Sequence, residues 1–402
     1  MNDSTASKLL NVTTITLFPW GTSDYKIAAM EVSRVLGITM EEVSDWRQPV
    51  PSGRWAAQFF FALAQRYDLI DIVQPTPIRR DRYLNQALAF RPNRSRWKAQ
   101  ANFNQFVLKK RTQAVQEGLE RNLGSYDLIM QMQTLCDPGF DRSGTNYAIY
   151  TDNTMALTRQ YYPSWAPLSS EGAAQWMRFE AEVCQSAAAV FTFSEFARRS
   201  MIEDYGCSPE RVVAVGAGLN QFVREPGDKE DKAPRALFVG IDFERKGGDV
   251  LLDAWRIVRE HVPDAELIVA GPTQTPRKDY LCGVKWMGPL DRGALAELYR
   301  SALVFVLPSL FEPWGLVFLE AMGHGLPCIG TSCCAMPEII EDGVTGLLVP
   351  PGEAEPLALA LIELLTEPDR AAAMGRAAHA NVLRDNRWSN VVDRVAAHLS
   401  AG

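Results

Sequence analysis

The sequence predicts two doubly wound α/β domains of similar build, facing each other across a central cleft. Three observations carry this reading. Short apolar, β-branched runs alternate with longer stretches of helical spacing, which is the pattern of βαβ units and parallel sheets. At 402 residues the chain is too long for most single domains and suits two of ordinary size. The alternation is interrupted near residue 230 by Arg224–Arg235, a charged segment with two prolines and no periodic apolar residues.

The elements follow in order. Val12–Phe18 reads as a first strand that stops at Pro19-Trp20-Gly21, and Ile27, Met30, Val35 and Leu36 then fall near helical spacing. Strand-like runs recur at Leu69–Val73, Tyr126–Met130, Asn146–Tyr150, Ala189–Phe193 and Arg211–Val215. Beyond the linker, strands are expected at Ala236–Val239, Glu266–Ala270, Val284–Met287, Leu303–Leu307 and Pro327–Gly330. Helices are expected at Gly248–Glu260, Gly293–Arg300, Gly315–Gly323, Glu355–Leu365, Ala371–Val382 and Asn386–Leu399. The domains are therefore placed at 1–224 and 235–385, with 225–234 as linker.

Composition narrows the class. A 47% hydrophobic and 22% charged chain is globular, and a net charge of −7 gives no general attraction to nucleic acid. The seven cysteines show neither a C-x-x-C pair nor zinc spacing, so they are read as reduced thiols. No run approaches the ~18 apolar residues of a membrane span, and the first residues lack a basic start followed by an apolar run. A cytoplasmic protein is the expectation.

The strongest motif is Phe311-Glu-Pro-Trp-Gly-Leu-Val-Phe-Leu-Glu-Ala-Met-Gly-His-Gly-Leu-Pro327. Glu312 stands just before a helix and Glu320 inside it, a separation of roughly 12 Å if helical throughout. That is comparable to the length of a nucleotide-linked pyrophosphate. A carboxylate accepts two hydrogen bonds and so suits a vicinal diol. The N–H groups of Trp314, Gly315 and Leu316 open the helix and suit phosphate. Gly315 lets the backbone approach a ligand, and Gly323 and Gly325 let the helix end and turn. By spacing alone, an amphipathic helix with two surface glutamates is the alternative.

This stretch closely resembles the Glu-x7-Glu motif and Gly-x-Pro turn of retaining family 4 glycosyltransferases (glycosyl transferases group 1). The likeness continues through Met336–Val349 and covers essentially the C-terminal half. It implies the GT-B fold, with two Rossmann-like domains and a last helix, 386–402, packed back onto the first domain. It also implies transfer of a sugar, a hexose by expectation, from a nucleotide diphosphate sugar such as a UDP- or GDP-sugar to an acceptor hydroxyl, with retention of anomeric configuration. The acceptor is expected to be a sugar, glycan or glycolipid. Glu312 is then assigned to the transferred sugar, Glu320 to the ribose, and the amides of Trp314, Gly315 and Leu316 to the phosphate–sugar junction. Two alternatives share the fold: a nucleotide-sugar 2-epimerase and a catalytically inactive nucleotide-sugar-binding protein.

The second site is Val239-Gly-Ile-Asp-Phe-Glu-Arg-Lys-Gly-Gly248, where a strand ends at Gly240 and a helix opens after Arg245 and Lys246. Two cations beside glycines at a helix start form a diphosphate clamp; a solvated charged loop is the bland alternative. Members of the resembled family carry arginine directly after the glycine, where this chain has Ile241. Lys246 matches their lysine.

Further candidates are weaker. Gly21, with Thr22, matches a glycine turn that the family lays against the donor. Met287, at the end of its strand, is placed with the donor-binding residues. Asp152 ends a strand of the first domain and either orients the acceptor or caps the next helix. His324 is read as structural, and the segments Phe193–Ile202 and Val215–Asn220 as scaffold. The chain has no Asp-x-Asp, so no metal is expected and no cofactor beyond the donor substrate. Finally, residues 79–116 hold ten Lys or Arg against one acid, Asp81, with Trp97, Phe103, Phe106 and Val107 interleaved. This stretch is an ordinary helix with a basic outer face, a peripheral contact with an anionic membrane, or a groove for an anionic acceptor.

Overall fold

The computed structural model describes residues 32–43, 46–47, 54–122, 124–139, 146–220, 233–273 and 282–400. The expected strand Val12–Phe18 and Gly21 lie outside the described residues, as does most of the linker. Up to residue 220 the described elements are β1 Arg34–Ile38, α1 Trp55–Leu63, β2 Asp68–Val73, α2 Arg79–Leu88, α3 Arg94–Asn102, α4 Gln105–Arg121, β3 Leu128–Met132, β4 Tyr147–Thr151, α5 Met155–Tyr161, α6 Ser170–Ser186, β5 Ala189–Thr192, α7 Glu195–Glu203 and β6 Val212–Ala214. From residue 233 they are β7 Arg235–Val239, α8 Gly248–His261, β8 Glu266–Ala270, β9 Val284–Gly288, α9 Arg292–Ser301, β10 Val304–Val306, α10 Leu316–Gly323, β11 Cys328–Thr331, α11 Met336–Ile339, β12 Gly346–Val349, α12 Ala354–Thr366, α13 Pro368–Asp385 and α14 Trp388–Ser400.

Both sheets are parallel and six-stranded, in the orders β2-β1-β3-β4-β5-β6 and β12-β11-β10-β7-β8-β9. Their strands read as continuous apolar runs because helices cover both faces; β3, β4, β5 and β10 are buried at every residue. One expectation is corrected. Val35 and Leu36, read as part of a helix, lie in β1, paired with β2 on one side and β3 on the other. A central strand buried on both faces has no alternation to betray it, and a short apolar run fits either period. Gly37 fits the packing of that strand, since a Cβ there would lie 2.7 Å from the Phe60 ring.

Side chains start many helices. Asn93, Asn104, Thr154, Ser169, Ser194 and Asp291 each accept a hydrogen bond from a backbone N–H in the first turn. Two helices of the second sheet start differently. Gly247 before α8 and Gly315 before α10 are left-handed, with φ of 71° and 92°, and no side chain caps either helix.

The two halves meet at the carboxyl ends of their strands. The Glu338 carboxylate on α11 accepts from the N–H groups of Glu195 and Phe196, at 2.7 and 2.8 Å, at the start of α7. Tyr161 stacks on Phe311, and Phe193 meets the Trp314 ring edge-on. The chain then returns. In α14, Trp388 packs edge-on against Phe59 of α1 and donates to the Asn220 side chain, while Arg394 donates to the Val215 carbonyl. Among the described residues, no helix is long and apolar enough to cross a membrane.

Candidate active site between the two sheets

In the second sheet β7 and β10 are hydrogen-bonded neighbours, but their following strands run to opposite sides. This reversal makes a crevice between the two strand ends, where open α/β sheets take their ligands. The helices that leave these two strands are α8 and α10, both begun at left-handed glycines without side-chain caps. The unsatisfied N–H groups of two helix starts therefore converge on the crevice.

The loops holding those starts interlock. A Cβ on Gly247 would lie 1.9 Å from the Pro308 carbonyl oxygen, so only glycine permits this approach. The Leu310 N–H donates to the Arg245 carbonyl at 2.9 Å. Gly240 leaves room for the Lys246 stem, because a Cβ there would lie 2.3 Å from Lys246 Cδ. Gly315 approaches both Phe318 and the Glu312 stem.

The cations and the first glutamate form one group. Lys246 Nζ donates to Glu312 Oε2 at 2.8 Å, and Arg245 Nη1 lies 3.5 Å from the same oxygen. Arg245 also donates from Nη1 to the Phe311 carbonyl at 2.6 Å and from Nε to Asp242 at 3.1 Å. Its guanidinium lies over the Trp165 ring, 5.0 Å from the centroid. Glu312 is only 8% exposed. Burial pushes its carboxyl upward, but Lys246 and Arg245 outweigh that and hold it below the ordinary carboxylate range. Glu312 is thus buried and ion-paired, unlike the surface glutamate of the amphipathic-helix alternative. Only its Oε2 takes part in these pairs, leaving Oε1 to one side.

Glu320 lies one helix length on, half-buried, and accepts a bond from the Tyr299 hydroxyl at 3.3 Å. Burial raises its carboxyl above the ordinary range. His324 stacks on Tyr299, and its Nδ1 lies 2.8 Å from the Glu320 carbonyl oxygen. Those contacts orient the end of α10. Two buried polar atoms of the same loop, Ser309 Oγ and Trp314 Nε1, have no protein partner among the described residues.

Asp152 comes from the first sheet, directly after β4. Its capping alternative fails, since Thr154 caps α5. Burial raises its carboxyl, a bond to Gln133 opposes that, and the charges of Glu312 and Arg245 both reach it. Asp152 therefore lies within electrostatic reach of Glu312 and Arg245. Ile241, at the position of the family's arginine, is 81% exposed, whereas Arg245 is buried in the crevice. Met287 is not brought to the group. It lies on edge strand β9, two strands from β7, and is 44% exposed. Trp165, Gln133, Tyr299 and Asp242 belong to this region and were absent from the sequence-derived set. Among the described residues no group of three or more His, Cys, Asp or Glu is placed to hold a metal ion.

Residues 220–381 match the family model for glycosyl transferases group 1. The match spans β7 to α12 and most of α13. Curated relatives include a D-inositol 3-phosphate glycosyltransferase of Thermobispora bispora, 33% identical over 49% of this chain and 52% of the relative. A phosphatidyl-myo-inositol mannosyltransferase of Mycobacterium leprae is 32% identical over 50% of this chain and 56% of the relative. The chain spans about half the length of the curated relatives it matches. Solved structures extend the likeness of fold to both halves. A sucrose-phosphate synthase of Thermosynechococcus elongatus matches with a TM-score of 0.67 at 20% identity, over 90% of this chain and 97% of that one. HepE of Anabaena, solved with UDP and glucose, matches with a TM-score of 0.62 at 15% identity, over 92% of this chain and all of that one. The architecture of the chain is GT-B, with two parallel Rossmann-like sheets that meet at their carboxyl ends.

Proposed function

We propose that this chain is a glycosyltransferase that moves a hexose from a nucleotide diphosphate sugar to an acceptor hydroxyl with retention of anomeric configuration. The observation that carries the reading is the Arg245–Lys246–Glu312 group at the switch point of the second sheet, between two uncapped helix starts. Lys246 gives one bond to Glu312 and keeps two donors, and Arg245 keeps its Nη2 edge. A diphosphate lying across α8 and α10 takes those donors and the helix N–H groups together. Glu320 then accepts the ribose hydroxyls through the oxygen that Tyr299 leaves open. Glu312 Oε1 accepts from the transferred sugar, and the amides of Trp314, Gly315 and Leu316 support the phosphate–sugar junction.

As the bond from the sugar C1 to the leaving phosphate oxygen breaks, negative charge grows on the diphosphate. The fixed cations and amides stabilise it, and the closed interface excludes water. The acceptor hydroxyl attacks C1 on the same face, and its proton passes to the departing phosphate oxygen. Asp152 orients that hydroxyl from the first sheet. The solved HepE complexes contain UDP and glucose or UDP-glucose, which favours a UDP-sugar as first choice of donor. The test is calorimetric titration of UDP and GDP into the protein and into Lys246→Ala. A charge-assisted bond is worth about 1.5–3 kcal/mol, so the variant should bind roughly tenfold to a hundredfold more weakly. Equal affinity removes Lys246 from the clamp.

A peripheral membrane contact through residues 79–116 is part of the same proposal. Ile78, Tyr83, Leu84, Leu88 and Phe90 are exposed around α2, among Arg79, Arg80, Arg82 and Arg91. Exposed apolar side chains beside cations suit an anionic bilayer surface. Sedimentation with anionic vesicles should capture the protein and fade with salt, and neutral vesicles should not. Equal, negligible binding to both refutes the contact.

A further inference from the structure

A second basic cleft, separate from the Arg245–Lys246 group, opens in the first half. It encloses about 490 Å³, and its wall includes Arg91, Arg96 and Gln100 from the α2–α3 region, Arg159 from α5, and Ser164 and Ser169 beyond it. Three arginines from three separate segments thus line one concavity. Arg91 donates to the Phe90 carbonyl and Arg159 to the Leu168 carbonyl, and among the described residues none of the three lies in an ion pair with a carboxylate. Glu171, the acid in the first turn of α6, is bonded to Gln175 and does not line the cleft. Ser169 caps the 17-residue helix α6, so this helix start also reaches the cleft wall. Positive groups that gather without an acid are electrostatically unfavourable unless an anion joins them.

The cleft adjoins the proposed donor site. Pro163 and Ser164 form its wall, and the next residue, Trp165, carries its ring under Arg245 and edge-on to Phe311. A single 3-10 turn, Pro163–Trp165, therefore separates the three arginines from the residues assigned to the diphosphate. We infer that this cleft binds a phosphate group carried by the acceptor, anchoring it while the acceptor hydroxyl reaches the crevice. The inference rests on the glycosyl-transfer reading and names the acceptor's chemical class as phosphorylated. The phosphate belongs either to a soluble sugar phosphate or to a lipid headgroup, and the same guanidinium chemistry holds both.

The experiment uses the full chain with saturating UDP, so that the donor site is occupied. Glucose 6-phosphate is titrated against glucose, and phosphatidylglycerol vesicles against phosphatidylcholine vesicles. The proteins compared are the wild type, Arg91→Gln/Arg96→Gln, Arg159→Lys, and Arg256→Gln/Arg376→Gln, two exposed arginines, as a control of equal charge loss outside both the cleft and residues 79–116. The cleft variants should weaken the phosphorylated probe at least about tenfold. The control should weaken it far less, and UDP affinity should not change. Arginine-dependent binding of glucose 6-phosphate assigns a soluble phosphate, and the same dependence with phosphatidylglycerol alone assigns a headgroup; either supports the inference. It is overturned if neither probe binds, or if the cleft variants bind no worse than the control pair. Absence of UDP binding in the wild type counts against the donor reading, while the arginine dependence is still read from the same titrations.

Discussion

Replacing Gly247 by alanine tests whether the interlocked helix starts shape the site. Two costs follow from the geometry. The residue has φ of 71°, and a left-handed alanine costs about 1–2 kcal/mol. Its new Cβ would lie 1.9 Å from the Pro308 carbonyl oxygen, and real contacts of this kind essentially never fall under 3.0 Å. The Pro308 carbonyl must therefore retreat by about 1 Å, with an overpacking cost of about 1–3 kcal/mol. The sum, about 2–5 kcal/mol, is a large part of the ~5–15 kcal/mol that holds a domain folded. Gly343 supplies the control. Its φ is 75°, but a Cβ there meets nothing within 4 Å, so Gly343→Ala carries the conformational cost alone. Urea denaturation should show Gly247→Ala less stable than Gly343→Ala by the steric part. UDP calorimetry should show weaker binding for Gly247→Ala only, because the 308–310 loop carries the Leu310 bond to Arg245. If the two variants match in stability and in UDP affinity, the packing of Gly247 on Pro308 does not shape the site.

Two other outcomes are expected. Glu180 is buried beneath α5, where it accepts from the Tyr205 hydroxyl and the Met155 N–H, and burial raises its carboxyl from 4.5 to about 7. The folded state then holds a proton that the unfolded state has lost, so this residue's contribution is full below about pH 4.5 and is lost as pH rises through about 7. Relative to wild type, Glu180→Gln should gain up to ~3 kcal/mol between pH 4.5 and 8 in urea titrations, and a constant difference refutes the assignment. Sugar transfer should persist in excess EDTA, since the proposed donor site sets Arg245, Lys246 and two helix starts against the diphosphate charge; an absolute need for magnesium or manganese contradicts this.

Much of the fold was legible because parallel strands buried on both faces read as apolar runs. Glu266–Ala270 is a strand with the bounds expected, and β2, β7 and β9 differ by one residue at an end. The failure at β1 has the same origin: Val35–Ile38 is apolar on both faces and lies within reach of Ile27 and Met30 at helical spacing. Short β12, Gly346–Val349, was read only within the sheet-and-turn sequel Met336–Val349, without bounds of its own. In the site, the residue types were legible but their pairing was not. Lys246 and Glu312 are 66 positions apart, and nothing local says that one burial holds both. The arginine stands at position 245 instead of 241, and burial separates the two, since Ile241 faces outward and Arg245 inward. Trp165 and Tyr299 carry no local signal. Gln133 does, because it follows β3 at the sheet edge that also presents Asp152.

The most direct measurement of the central claim is the steady-state kinetics of nucleoside diphosphate release by Glu320→Gln and Glu312→Gln. If Glu320 accepts the ribose hydroxyls, its glutamine variant keeps the shape but replaces one acceptor with a donor. Its donor KM should rise, and its preference over a 2′-deoxy donor should shrink. If Glu312 contacts the transferred sugar, Glu312→Gln should act mostly on kcat, because that contact tightens as the glycosidic bond breaks. Thermal denaturation of both variants guards against simple unfolding, which matters for the buried, ion-paired Glu312. Separate effects, KM for one and kcat for the other, are the result predicted. Two folded variants that both retain full activity would contradict the account.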